Sequence, residues 1–292
     1  MGYPGTEVSG YWGPPTATID WCEENYVVSY YVAEWANTLS NAWFVALALY
    51  QLYSVRRHGL ERRFAVTAAG MAAVGAGSWA FHMTLRYGCQ LLDELPMVYV
   101  TCVPAWSVAG ELGRGRQAGA ALAAGAAALT AAYVWVYTDP FLHELGYAVI
   151  TGYVVVCAVY LRRTRVRDAA ARRGLAQCMV LGVGLFAAAY ALWQLDVHCC
   201  GVWVRVRRQY LGLPLGLLLE LHAWWHVLTG SGVYCVCVYL MYLRQLLHGR
   251  GEAFELVWRW RVLPELTRRG QRVRANYALT LLGPYAGRAR AA

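Results

Sequence analysis

Residues 214–243 read PLGLLLELHAWWHVLTGSGVYCVCVYLMYL, thirty residues with one carboxylate, two histidines and no lysine or arginine. A helix needs only about 20 apolar residues to cross a bilayer core, so lipid decides this fold. Six further apolar stretches fit the same description, near 35–54, 65–84, 91–110, 117–137, 145–161 and 175–195. Together they predict an all-α integral membrane protein, a bundle of seven transmembrane helices. The composition agrees, with 59% hydrophobic and 14% aromatic residues, far from the soluble average.

All 26 basic residues are arginines, and they are unevenly placed. Arg56, Arg57, Arg62 and Arg63 follow the first expected span, Arg114 and Arg116 the third, six between Arg162 and Arg173 the fifth, and ten the seventh. Only Arg86, Arg205, Arg207 and Arg208 fall on the opposite side. Arginine-rich loops stay in the cytosol, which puts the C-terminus there and the N-terminus in a lumen or outside the cell. The net charge of +9 is therefore topogenic. No stacking module or zinc-finger spacing accompanies it, which excludes nucleic acid as a partner. The first 34 residues carry no secretory signal pattern, so the first span is expected to direct insertion.

The chain divides into an aromatic, acidic segment (1–33), the bundle (34–243) and an Arg-rich tail (244–292) with a short amphipathic stretch around Phe254 to Val262. The fourth span, Ala- and Gly-rich from Ala118 to Ala132, reads as scaffold for close helix packing. No internal repeat suggests an inverted-repeat transporter. Cys22, Cys199 and Cys200 map to the non-cytosolic side, where oxidation is permitted, so a bridge from Cys22 to one of the adjacent pair is expected.

Against this apolar background stand Ser78-x-x-x-His82, Asp93 and His222-x-x-x-His226. Residues four apart share a helix face, and ionisable groups inside a membrane are costly and usually functional. Three neutral imidazoles with an open fourth position match catalytic zinc, whereas structural zinc is closed by four ligands and rich in cysteine. The expected topology puts the end of the second helix, the start of the third and the entry of the seventh at one depth on the non-cytosolic side. His222-Ala-Trp-Trp-His226 has the spacing of soluble zinc proteases but carries Ala223 where their glutamate stands. The base role then falls to Asp93, which would take a proton from water and return it to a leaving amine. Ser78 would donate to the developing oxyanion. This predicts a zinc hydrolase within the membrane.

A second cluster, Asp20-Trp-Cys-Glu23-Glu24-Asn25 with Glu34 nine residues later, offers carboxylate and amide oxygens that suit Ca²⁺. Asp196, at the outer end of the sixth span, has no assigned role at this level.

Five segments together resemble the alkaline ceramidases: Gly-Tyr-Trp-Gly-Pro (10–14), Asp-Trp-Cys-Glu-Glu-Asn-Tyr (20–26), Gly-Ser-Trp-Ala-Phe-His-Met-Thr-Leu (77–85), Gln-Leu-Leu-Asp-Glu-Leu-Pro-Met (90–97) and His-Ala-Trp-Trp-His-Val-Leu-Thr-Gly (222–230). The resemblance runs from residue 10 to about 243. It implies zinc held by His82, His222 and His226, with Ser78 and Asp93 catalytic. It also implies calcium held by the side chains of Asp20, Glu23, Asn25 and Glu34 and the Trp21 carbonyl. The implied reaction hydrolyses ceramide to a sphingoid base and a fatty acid in endoplasmic reticulum or Golgi membranes. Replacing Glu34 is then expected to weaken calcium before zinc. The Ser, His and Asp pattern also marks progestin/adiponectin-type receptors, so the alternative is a zinc-containing seven-helix lipid or hormone receptor without turnover. The aspartate-tryptophan block and the Leu-Leu-Asp-Glu-Leu-Pro run favour the enzyme.

Overall fold

The computed structural model describes residues 9–270; the expected tail beyond that point lies outside the described residues. Seven long helices form the bundle: α1 (Trp35–Arg57), α2 (Arg62–Thr84), α3 (Tyr87–Glu111), α4 (Gly115–Trp135), α5 (Pro140–Arg165), α6 (Ala169–His198) and, after the short α7 (Cys200–Val206), α8 (Leu221–Leu247). Five of them, α2, α4, α5, α6 and α8, are long and apolar enough to cross a membrane, which makes this a multi-pass membrane protein. The other two turn polar groups inward: α1 buries Asn37, Thr38, Asn41 and Gln51, and α3 buries Gln90 and Glu94. Val149, Val156 and Val180 face outward, an apolar exterior that only lipid would cover.

The expected seventh span from 214 begins later, at Leu221. Residues Leu215–Leu219 form a separate 3-10 turn, and Glu220, extended at φ −80° and ψ 91°, interrupts the chain before α8. Helix α8 lies between α1 and α6, α2 joins α1 to α3, and α4 and α5 flank α3. Gly182 and Gly232 bring α6 and α8 together, since a Cβ on either would lie 2.9 or 2.7 Å from the other's carbonyl oxygen.

Two features set the ends of the bundle. The chain turns from α2 to α3 in two residues, with Leu85 left-handed at φ 51° and fully buried, a conformation that costs a non-glycine residue about 1 kcal/mol. Its carbonyl repays the turn by accepting the N–H groups of Thr16 and Ala17, both at 3.0 Å. The N-terminal segment thereby folds across this end of the bundle, and a Cys22–Cys200 disulfide holds it there while Cys199 stays free. At the opposite end the stretch expected to be amphipathic pairs as an antiparallel hairpin, β1 (Phe254–Arg259) and β2 (Leu263–Arg268), a small addition to the helices. Phe254, Leu263 and Leu266 join the main core, and buried Glu265 accepts from Ser54 and pairs with Arg259.

Inside α3, Pro96 removes the donor that would satisfy the Leu92 carbonyl. Gly77 of α2 fills that position: a Cβ there would sit 2.0 Å from the Leu92 oxygen. The two helices therefore touch backbone to backbone beside Ser78 and Asp93.

Candidate metal centre and cavity

His82 lies in the last turn of α2, and His222 and His226 occupy the first two turns of α8, so three helix positions face one point. Their ring centroids lie 5.1, 4.8 and 4.7 Å apart, and one nitrogen from each falls within 4.8 Å of the others. All three residues are buried. The His82 Nε2 and His222 Nδ1 atoms have no hydrogen-bond partner although both are buried, an arrangement that costs about 1–3 kcal/mol per group unless something else binds there. Two other ring nitrogens are engaged: His82 Nδ1 meets the Glu34 carboxylate, and His226 Nδ1 lies 2.8 Å from Ser40 Oγ. The His222 ring stacks on Trp21 at 3.9 Å between centroids.

The Ser78 side chain faces the Asp93 carboxyl across the α2–α3 contact. Both residues line a cavity of about 330 Å³ shared with His222 and His226. Phe44, Met71 and Val74 wall one side, and Phe186, Tyr190, Trp193 and Trp225 add an aromatic surface. Such walls suit an apolar ligand.

The acidic set gathers at the N-terminus of α1 but divides its oxygens among several partners. Asn25 Nδ2 donates to Asp20, the Trp21 N–H and Asn37 Nδ2 donate to Glu34, and Glu23 accepts the N–H groups of Ala36 at 2.7 Å and Asn37 at 2.8 Å. Glu23 thus caps α1 from a distance in sequence, favourable against the positive end of a helix. Burial first, and then the neighbouring Glu34, push the Glu23 carboxyl up to about 8 against the pull of those N–H bonds. Burial likewise raises Asp20. Asn25 Oδ1 is buried without a donor. Crowded acids and an orphaned amide oxygen are what a hard cation would relieve.

The sequence reading gave Glu34 and Trp21 to calcium alone, named no role for Asp196 and did not single out Ser40 or Asn41. Glu34 orients His82, Ser40 and Asn41 approach His226, and Trp21 supports the His222 ring. Asp196 Oδ2 accepts the Cys22 N–H at 3.2 Å, and its carboxyl faces the start of the helix that carries two histidines. None of these has a local spacing signature, because each joins segments far apart in the chain. Arg207, one of the four arginines outside the charge pattern, is fully buried against Glu220 and the Cys22 carbonyl, and Arg208 pairs with Glu24.

Comparison with known proteins places this geometry among relatives. The family model described as Ceramidase matches residues 13–267. The chain is 44% identical to the alkaline ceramidase YPC1 of Saccharomyces cerevisiae, over 97% of this chain and 94% of that protein. It is 34% identical to alkaline ceramidase 3 of Mus musculus, covering 83% and 90% of the two chains. An alkaline ceramidase of Arabidopsis thaliana is similar at 29%, covering 83% and 89%.

Proposed function

This chain belongs to the alkaline ceramidase family and is an enzyme of that kind, and from that premise we propose a zinc-dependent amidase that cleaves ceramide within the bilayer. The products are a sphingoid base and a free fatty acid. The observation that carries the reading is the trio of buried histidines with two orphaned ring nitrogens beside Ser78 and Asp93 in a largely apolar cavity. A receptor without turnover has no comparable support among the relatives.

The donor set suits zinc. Three imidazoles converge, two of them oriented through their second nitrogens by a carboxylate and a hydroxyl, as metal-ligating histidines usually are. Zinc held by His82, His222 and His226 would supply Lewis acidity and make water a stronger acid. The rest belongs to the chain. Asp93 takes a proton from the attacking water and returns it to the departing nitrogen. Ser78 has one proton to donate and stands beside Asp93. Its expected donation to the carbonyl oxygen requires the hydroxyl to turn as charge builds there. Trp21, Trp193 and Trp225 keep water from the lipid side of the cavity.

The acidic set formed by Asp20, Glu23, Asn25 and Glu34 with the Trp21 carbonyl is assigned to Ca²⁺. Glu34 also touches His82, so the two sites share one carboxylate and its loss is expected to weaken both together. Glu34→Gln should lower zinc affinity about 10- to 100-fold, read by zinc titration with a competing chelator. Unchanged zinc affinity would separate the sites again.

All seven long helices cross the membrane in this reading, with the N-terminal segment in the lumen of the endoplasmic reticulum or Golgi. The direct test incubates detergent-solubilised protein with ceramide and measures sphingoid base. Release that stops on chelation and returns with zinc is expected. No release from zinc-loaded protein would sink the assignment.

A further inference from the structure

Three polar residues in the cavity wall take no part in the reaction as derived: Glu94, His143 and Glu144. Behind Glu94 lies a built support drawn from four segments. Tyr133, at the end of the otherwise exposed α4, donates its hydroxyl to Glu94 Oε2 and is itself fully buried. Gln90 Nε2 reaches Tyr133 Oη at 3.1 Å and the two Glu94 oxygens at 3.4 and 3.3 Å. The Gln90 orientation is fixed in turn, because its carbonyl oxygen accepts the Thr18 N–H at 2.8 Å. His143 Nε2 lies 2.7 Å from the Glu94 backbone oxygen. A carbonyl can only accept, so the proton resides on Nε2 and Nδ1 of the neutral ring keeps a lone pair.

This leaves the wall next to Asp93 rich in acceptors, with two carboxylates, an imidazole nitrogen and no lysine or arginine among the lining residues. Its complement is a ligand that donates hydrogen bonds. The substrate proposed above, on which this step rests, carries hydroxyls on the two carbons that flank its amide-bearing carbon. Asp93 and Glu94 line the same cavity, so a ligand whose amide meets Asp93 has its neighbouring hydroxyls within the same chamber as Glu94. We propose that Glu94, held by Tyr133 and Gln90 and flanked by His143, is the subsite that accepts the hydroxyls of the sphingoid head and so determines specificity. A buried acceptor left without its donor costs more than a lost apolar contact, which is how such a site rejects a ligand lacking the hydroxyl.

The test compares kcat/KM for ceramide and for 1-deoxy- and 3-deoxyceramide in the zinc-loaded wild type, Glu94→Gln and Tyr133→Phe. Zinc content and thermal unfolding are followed alongside. The wild type should favour ceramide over at least one deoxy analogue by about 10²-fold or more. Glu94→Gln should lower turnover of ceramide at least about tenfold more than turnover of that analogue, and Tyr133→Phe should act in the same direction because it frees the carboxylate. A wild type that does not discriminate overturns the subsite. So does an equal loss on every substrate, which would assign Glu94 to the electrostatics of Asp93 or to the fold. Zinc-loaded wild type that cleaves none of the three defeats the hydrolase reading itself, a different outcome from active enzyme with unmoved ratios.

Discussion

Asp93→Asn is expected to keep zinc at the wild-type ratio while turnover of ceramide falls about 10²- to 10⁴-fold, the usual contribution of a positioned general base. The amide is close in shape to the carboxylate, so the fold has little reason to change. What it lacks is a basic oxygen to carry a proton from water to nitrogen. His222→Ala is expected to behave differently, losing zinc and activity together. Two imidazoles would remain, and the Trp21 ring that stacks on His222 would lose its partner. Zinc per protein and sphingoid-base release, measured on the same samples, separate the two cases. Full turnover in Asp93→Asn would remove it from the chemistry, and full zinc in His222→Ala would remove that ligand.

The second large effect comes from a residue with no polar atom in its side chain. Gly77→Ala would place a methyl group 2.0 Å from the Leu92 oxygen and 3.0 Å from the Asp93 nitrogen. Backbone cannot rotate away as a side chain can, so α2 and α3 must separate. Overpacking commonly costs about 1–3 kcal/mol, and a backbone clash belongs at the upper end of that range. The displacement falls between Ser78 and Asp93, where an error of about 1 Å can cost about 10² in rate. Loss of more than about 10² in turnover with a lowered Tm is therefore expected. Gly184→Ala in α6 is the control, since its Cβ meets nothing within 4 Å. That change should be neutral or slightly stabilising, because alanine is the better helix former by up to about 1 kcal/mol. Similar behaviour of the two variants would contradict the α2–α3 contact as described.

Much of this was legible before any coordinates. Helices were readable from apolar length, and the histidines from their spacing in a setting where polar side chains are scarce. The bounds drifted where the backbone turns out of helix, as at Glu220, and the hairpin of residues 254–268 hid within an amphipathic stretch because six-residue strands leave little periodic signal. The choice between Cys199 and Cys200 was open for a similar reason, since neighbours in sequence point in different directions once α7 begins.

By itself, then, the sequence determined that the chain is a helical membrane protein and which Ser, Asp and His residues merit a metal and a proton-transfer role. Those signals are local or periodic, so they survive without a fold. Only the tertiary structure decided that Glu34 serves both a histidine and the acidic set, that Asp196 accepts the Cys22 N–H beside the start of α8, that Tyr133 anchors Glu94 and that Gly77 permits the α2–α3 contact. Each of these joins residues from different segments, and such contacts come into being only when the bundle closes and buried polar groups must find partners wherever packing brings them.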